Sequence, residues 1–216
     1  MVRILVADDH DIFRRGLKDL LLSHPGWEVA GEAKTGREAV TLTEELKPDI
    51  VVIDISMPEL NGLEAARQIH KSFPRTGILV LTVHFSDQLL TDIVDAGARA
   101  YIMKSDADRD LISAVEALTG RRTFFTACAA EILLNGYSKD NAVPDPQSHL
   151  RHRLTARERE IVQLLAEGKT SKEVASVLGI SVKTAETHRA NIMRKLEIHS
   201  VSEVVRYAVK NQIIEA

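Results

Sequence analysis

Cysteine is almost missing from this chain: among its 216 residues only Cys128 carries a thiol. That excludes an intrachain disulfide and any zinc site built from several cysteines, and it fits a reducing compartment. No apolar run is long enough to cross a bilayer. The sequence opens on strand-like Val2-Arg3-Ile4-Leu5-Val6, with no basic segment followed by an apolar stretch, so the expectation is a cytoplasmic protein that does not engage the membrane. A phosphate-binding P-loop, a Gly-x-Gly-x-x-Gly dinucleotide fingerprint and a His-Glu-x-x-His zinc helix are all missing, and no internal repeat is evident.

What is present is a core and an uneven charge. Hydrophobic residues make up 44% of the chain, which excludes global disorder. The net charge of −3 conceals two unlike halves. Residues 1–150 hold 16 Lys+Arg against 23 Asp+Glu, whereas residues 151–216 hold 12 against 8. An acidic part joined to a small basic one suggests that the C-terminal part binds a polyanion. Ordinary surface variation would give the same figures, so charge alone decides nothing.

Over residues 1–120, apolar runs at 2–7, 27–33, 50–54, 77–82 and 100–104 alternate with amphipathic stretches at 11–23, 36–46, 61–72, 87–96 and 107–119. This order predicts an α/β, doubly wound, parallel five-stranded sheet of flavodoxin-like type. Residues 120–135 read as one more helix, carrying Arg121-Arg122, and 136–150 have linker composition. Beyond the linker, residues 151–216 read as a small all-α domain. Thr155-x-x-Glu158 and Thr170-x-x-Glu173 are capping boxes, and Gly168 and Gly179 close helices. Ser181 caps a helix to about Leu196, and a last helix spans about 200–211. The spacing at its centre is that of a helix-turn-helix.

Four of the five predicted strands deliver a polar residue at their C-terminal ends, where ligands collect in such a sheet. Asp8-Asp9 follow the first, Asp54 ends the third, Thr82 the fourth and Lys104 the fifth. Asp54 offers a carboxylate nucleophile. The adjacent Asp8 and Asp9 repel one another and favour a bound cation. Mg2+ suits a shell of Asp9, Asp54, the Ser56 backbone carbonyl and Asp8 through water. Lys104 can hold a phosphoryl oxygen, and Thr82 offers a hydroxyl to a newly attached phosphate. Any one of these has a bland reading: a strand-end Asp caps the next helix, as Asp11 is expected to do, and a single Lys is solvated. Their joint placement at one edge is what points to phosphoryl chemistry. Tyr101 is read either as a half-buried core residue or as a switch.

On the helix over 182–196, Ala185, Ile192 and Leu196 share an inward face. Lys183, Glu186, Thr187, Ala190 and Arg194 recur on another, suited to the major groove. Lys183, Arg189, Arg194 and Lys195 suit phosphate contacts. Glu186 and Thr187 are the base readers, through cytosine N4 and a thymine methyl, although Glu186 would equally well orient a neighbouring Arg. His188 and Asn191 read as packing, capping or phosphate contacts. The stripe Val201, Val205, Ala208, Val209 either buries within its own domain or pairs with a second copy.

Residues 1–120 resemble the receiver domain of bacterial two-component response regulators, through Asp8-Asp9, Asp54-x-x-Met57-Pro58, Asn61-Gly62, Thr82 and Tyr101-Ile-Met-Lys104. Residues 154–210 resemble the LuxR-type helix-turn-helix, through Leu154-Thr155-x-Arg157-Glu158-x-Glu160, Ala166-Glu167-Gly168-Lys169 and Thr184-x-x-x-His188-x-x-Asn191-Ile192-x-x-Lys195-Leu196. Together these resemble a NarL/FixJ-type regulator. The resemblance implies that Asp54 takes a phosphoryl group from a sensor histidine kinase with Mg2+ held by Asp8, Asp9 and Asp54. It implies that Lys104 contacts the phosphoryl group and that Thr82 and Tyr101 relay the change. His84 and Ser56 then stand where dephosphorylation is tuned. The resemblance also implies binding to double-stranded DNA, as a homodimer formed through the last helix. Glu186 departs from it, since the family often has Lys there. The expectation is thus a transcription regulator rather than an enzyme. The alternatives are a phosphohydrolase, for which Asp54-Ile55-Ser56 lacks the second carboxylate of an Asp-x-Asp pair, and a module that binds an acidic protein instead of DNA.

Overall fold

A computed structural model describes residues 1–126, 129 and 154–214. The chain divides into two compact units. Over residues 1–126 of the first unit, strands alternate with helices: β1 (Val2–Ala7), α1 (Asp11–Leu22), β2 (Trp27–Ala33), α2 (Gly36–Leu46), β3 (Ile50–Asp54), α3 (Gly62–Ser72), β4 (Gly77–Thr82), α4 (Asp87–Asp95), β5 (Ala100–Met103) and α5 (Ala107–Thr119). The sheet is parallel throughout, in the order β2-β1-β3-β4-β5. The order reverses between β1 and β3, so a crevice opens beyond their C-terminal ends.

Period-2 alternation divides the strands between two apolar layers. Leu5, Ala7, Val51, Ile53, Ile78, Val80 and Tyr101 face the side covered by α2, α3 and α4. Ile4, Val6, Ile50, Val52, Leu79, Leu81 and Ile102 face the side of α1 and α5. Being buried on both faces, the strands read as unbroken apolar runs.

The sequence expectations need three corrections here. Asp11 does not cap α1: His10 holds the cap position, and Asp11 is the first helical residue, ion-paired to Arg14 and Lys34. The last strand stops at Met103, and Lys104 begins a short 3-10 turn, Lys104–Asp106. The helix expected over 120–135 is not helical where it begins. Arg121 takes a left-handed φ of 57°, and the backbone then runs along the edge of β5. Phe124 N–H donates to Arg99 O at 3.0 Å, and Tyr101 N–H donates to Phe124 O at 3.1 Å. Phe124 packs into the α1/α5 layer and Phe125 into the opposite one. Beyond Thr126 the rest of that predicted helix, Ala129 apart, lies outside the described residues, as does the linker at 136–150.

The described residues of the second unit form α6 (Ala156–Ala166), α7 (Ser171–Leu178), α8 (Val182–Leu196) and α9 (Val201–Lys210). Both capping boxes form, with Thr155 and Thr170 accepting from Glu158 and Glu173 backbone amides and each Glu side chain reaching back. Gly179, at φ 63°, closes α7 before Ser181 caps α8. The helices enclose a core of Leu154, Ile161, Leu164, Val174, Ala185, Ile192, Val204 and Ala208. Among the described residues no helix is long and apolar enough to cross a membrane.

Candidate functional site

Asp54, last residue of β3, is buried to 1% exposure, and Asp8, one residue past β1, to 0%. Lys104 joins them from the end of β5. Its Nζ donates to Asp54 Oδ2 at 2.8 Å and stands 2.8 Å from Asp8 Oδ2. The second approach lacks hydrogen-bond geometry, so Asp8 Oδ2 is a buried oxygen with no hydrogen-bond donor. The ammonium also lies 4.9 Å from the centre of the Phe13 ring, within cation–π range. Three strands thus bring two carboxylates and one cation together.

Burial pushes the Asp54 carboxyl up to about 6 from an ordinary 3.8, against the bond and charge of Lys104 and a backbone bond from Ser56, while the charge of Asp8 adds to the rise. Burial works against the Lys104 charge, but Asp54 and Asp8 together hold the ammonium above its ordinary range. A carboxyl that binds its proton more tightly folded than unfolded stabilises the fold fully below the unfolded value of 3.8 and loses that contribution as the pH rises through about 6. In chelator, Asp54→Asn is therefore expected to melt higher than the parent at pH 7.5, by on the order of 2 kcal/mol. The gap should close toward pH 4, and thermal melts of both proteins across this range measure it. A gap that widens on acidification would contradict the assignment.

Asp8, Asp9, His10 and Asp54 place ligand atoms within 4.8 Å of one another. The oxygen-rich set suits Mg2+, and Asp8 Oδ2, buried and ion-paired to Lys104 but without a hydrogen-bond donor, is the kind of atom a cation satisfies. His10 was not anticipated from the sequence. Its Nδ1 lies 2.7 Å from Asp9 Oδ1, and its backbone N–H donates to Asp8 Oδ1 at 2.7 Å. Arg14 was also missed. It is buried, donates to the Asp8 carbonyl at 2.7 Å, and pairs with Glu32 at 3.2 Å, which fixes the loop after β1 against β2. No signal short of the fold marks it, because Arg14 looks like any surface cation on an amphipathic helix.

Thr82 ends β4, buried, with Oγ1 donating to His84 O at 3.1 Å and accepting from His84 N–H at 3.2 Å. Tyr101 is fully buried rather than half-buried. Its hydroxyl has no partner among the described residues, its ring tilts against Phe85, and burial pushes its pKa up to about 12. Beneath the acidic site, Gly62 N–H donates to Ile55 O at 2.8 Å, and Asn61 caps α3 by accepting from Glu64 N–H at 2.9 Å. A methyl group at Gly62 would run into the Asp54 carbonyl oxygen.

In the second unit, Lys183, Glu186, Thr187, Ala190 and Arg194 are all exposed on α8, while Ala185 and Ile192 are buried and Leu196 packs against the core. Arg189 is half-buried. Lys195, expected to touch phosphate, pairs instead with Glu158 at 2.7 Å and ties α8 to the start of α6. Ala208 is fully buried in its own core and so leaves the proposed pairing stripe. Val201 stays exposed, and Val205 and Val209 are half-buried.

Residues 4–116 match the model of the response regulator receiver domain, and residues 152–208 match that of the bacterial regulatory proteins of the luxR family. The chain is 36% identical to the transcriptional regulatory protein LiaR of Bacillus subtilis, over 99% of this chain and 100% of LiaR. It is 33% identical to the response regulator protein VraR of Staphylococcus aureus, over 99% of both. Among solved structures, the two-component response regulator RcsB in complex with DNA is similar at 25% identity, with a TM-score of 0.58, covering 97% of this chain and 98% of that one.

Proposed function

Because the chain belongs to the two-component response regulators that join a receiver domain to a LuxR-type helix-turn-helix, we propose that it is a cytoplasmic transcription regulator whose DNA binding is switched by phosphorylation of Asp54. The receiver spans 1–120, and the DNA-binding domain 151–216. The observation that carries this reading is the buried Asp54 sharing one ammonium, Lys104, with a second buried carboxylate, Asp8.

An oxygen of the Asp54 carboxylate attacks phosphorus in the phosphohistidine of a sensor kinase. The O–P bond forms as the N–P bond breaks, and the leaving imidazole nitrogen keeps the electron pair and takes a proton from solvent. Asp9, Asp54 and the Ser56 carbonyl, with Asp8 through water, would hold Mg2+, which would supply charge neutralisation for the phosphoryl oxygens. Lys104 turns from the bare carboxylates to a phosphoryl oxygen. Thr82 exchanges its bonds to His84 for one to the new phosphate. The space it vacates is open to the unpartnered Tyr101 hydroxyl, and the surface around α4 and β5 shifts with them. The phosphate acts through its differential contacts with the two states. The active form is a homodimer that pairs through Val201, Val205 and Val209 and binds double-stranded DNA with α8 in the major groove.

Incubation with a small phosphodonor and Mg2+ should give an acid-stable, base-labile adduct and should raise affinity for a selected duplex. Sustained turnover of phosphate esters without an adduct would instead mark a phosphohydrolase. Arg194→Ala removes an exposed cation of α8, so binding should weaken about equally on all duplexes, and the slope of log affinity against log salt should fall by about 1. Titrations at several salt concentrations read this directly. An unchanged slope would take Arg194 out of the phosphate contacts.

A further inference from the structure

Between the exposed cations Lys183 and Arg194, the outer face of α8 carries an acidic and largely apolar stripe. Val182, Glu186 and Ala190 follow one another at four-residue spacing, with Thr187 beside them. All four are exposed, Val182 to 43%. The chemistry of this stripe is narrower than its composition suggests. Thr187 Oγ1 donates to Lys183 O at 2.9 Å, so its methyl group is what it offers outward. The Thr184 hydroxyl is paired with Ser181 Oγ at 2.8 Å in the cap. Arg194 donates to Asn191 Oδ1 at 3.0 Å, further along the helix.

Glu186 differs from most described acidic residues of this unit; Glu197, at the C-cap of α8, shares its lack of a side-chain partner but lies off the exposed stripe, and Glu167 accepts from Gln163 at 2.8 Å. Glu158 pairs with Lys195, Glu160 with Arg157, and Glu173 and Glu203 accept backbone amides at helix starts. Glu186 forms no ion pair or hydrogen bond among the described residues, so Arg189, three residues on, does not hold it. An unpaired carboxylate on a surface that meets phosphates weakens non-specific attraction. What it offers in return is an acceptor for a base that donates. In the major groove only cytosine N4 and adenine N6 donate, and guanine presents two acceptors that a carboxylate repels.

Building on the DNA-binding reading above, we infer that α8 selects half-sites in which a cytosine is flanked by thymines. Glu186 accepts from cytosine N4 and bars guanine, while the methyl groups of Val182, Thr187 and Ala190 pack on thymine methyls. Adenine also donates from N6, but its adjacent N7 acceptor faces the second carboxylate oxygen, which favours cytosine.

The test selects duplexes from a randomised pool with the full chain, treated with phosphodonor and Mg2+, and then measures competition on single-base variants. The parent should enrich cytosine at one position of each half-site and prefer it over guanine there by about tenfold or more. Glu186→Lys should exchange that cytosine for guanine. Glu186→Ala should flatten the position and raise affinity for unrelated duplex. Thr187→Ser keeps the hydroxyl and loses the methyl, so it should flatten only a neighbouring thymine. Thermal melts confirm that these surface variants fold. If the parent binds duplex DNA in a salt-dependent way but Glu186→Lys and Glu186→Ala leave the base preference unchanged, the inference is overturned and the DNA-binding reading stands. If the parent binds no duplex at any salt, both fall.

Discussion

Asp54→Asn is expected to form no phosphoryl adduct at all with a small phosphodonor and Mg2+, under conditions that label the parent fully. The substitution keeps shape and removes the anionic nucleophile. The fold should survive it, because Lys104 keeps Asp8 as a partner at 2.8 Å, and because a neutral group suits a site this dry better than a charged one. Intact mass separates the outcomes: one added phosphoryl group on the parent, none on the variant. Lys104→Ala provides the graded comparison. It leaves Asp54 in place but strips the charge that a phosphoryl oxygen needs, so labelling should slow markedly without vanishing. A base-labile adduct on Asp54→Asn would remove Asp54 from the chemistry.

Gly62→Ala should be among the most damaging small changes to the first unit. The added methyl meets the Asp54 carbonyl and the backbone of Ile55, not a side chain that can turn away. Strand β3 is the middle strand of the sheet, with β1 and β4 on either side, and has nowhere to retreat. We expect a loss of about 3 kcal/mol or more, which lowers the melting temperature of this unit by more than about ten degrees. Adduct formation should fall as well, since the clash lies on the residue that carries the nucleophile. Gly16→Ala is the control. It sits in α1 with nothing within 4 Å of the added carbon, and it should stabilise by about 0.5–1 kcal/mol through helix propensity. Equal melting temperatures for Gly62→Ala and Gly16→Ala would show that β3 yields more readily than this packing allows.

The sheet and its acidic edge were legible because buried parallel strands leave unbroken apolar runs, and the polar residue that ends each run falls at one edge. Capping boxes made α6 and α7 legible in the same way, from local chemistry alone. What escaped depends on partners distant in the chain. Arg14 is a buried clamp only because Glu32, on another strand, stands beside it. Lys195 looks like a phosphate contact until Glu158 occupies it. Ala208 belongs to a stripe that sequence periodicity assigns equally to a core and to an interface, and its neighbours in the fold decide the matter. The stretch from Arg121 to Phe125 was misread as helix for a related reason. Arg121 and Arg122 still bond to the preceding turn, but Phe124 bonds to the backbone of Arg99 and Tyr101, far back in the chain.

That stretch has one mechanical consequence. Phe124 and Phe125 grip the rim of the sheet from its two sides, and the amide of Tyr101 is tied to the peptide between them. Residues 124 and 125 are therefore fastened to the strand that bears Tyr101. Any sideways slip of β5 drags the backbone at Phe124 along with it, and so works on both apolar layers at once.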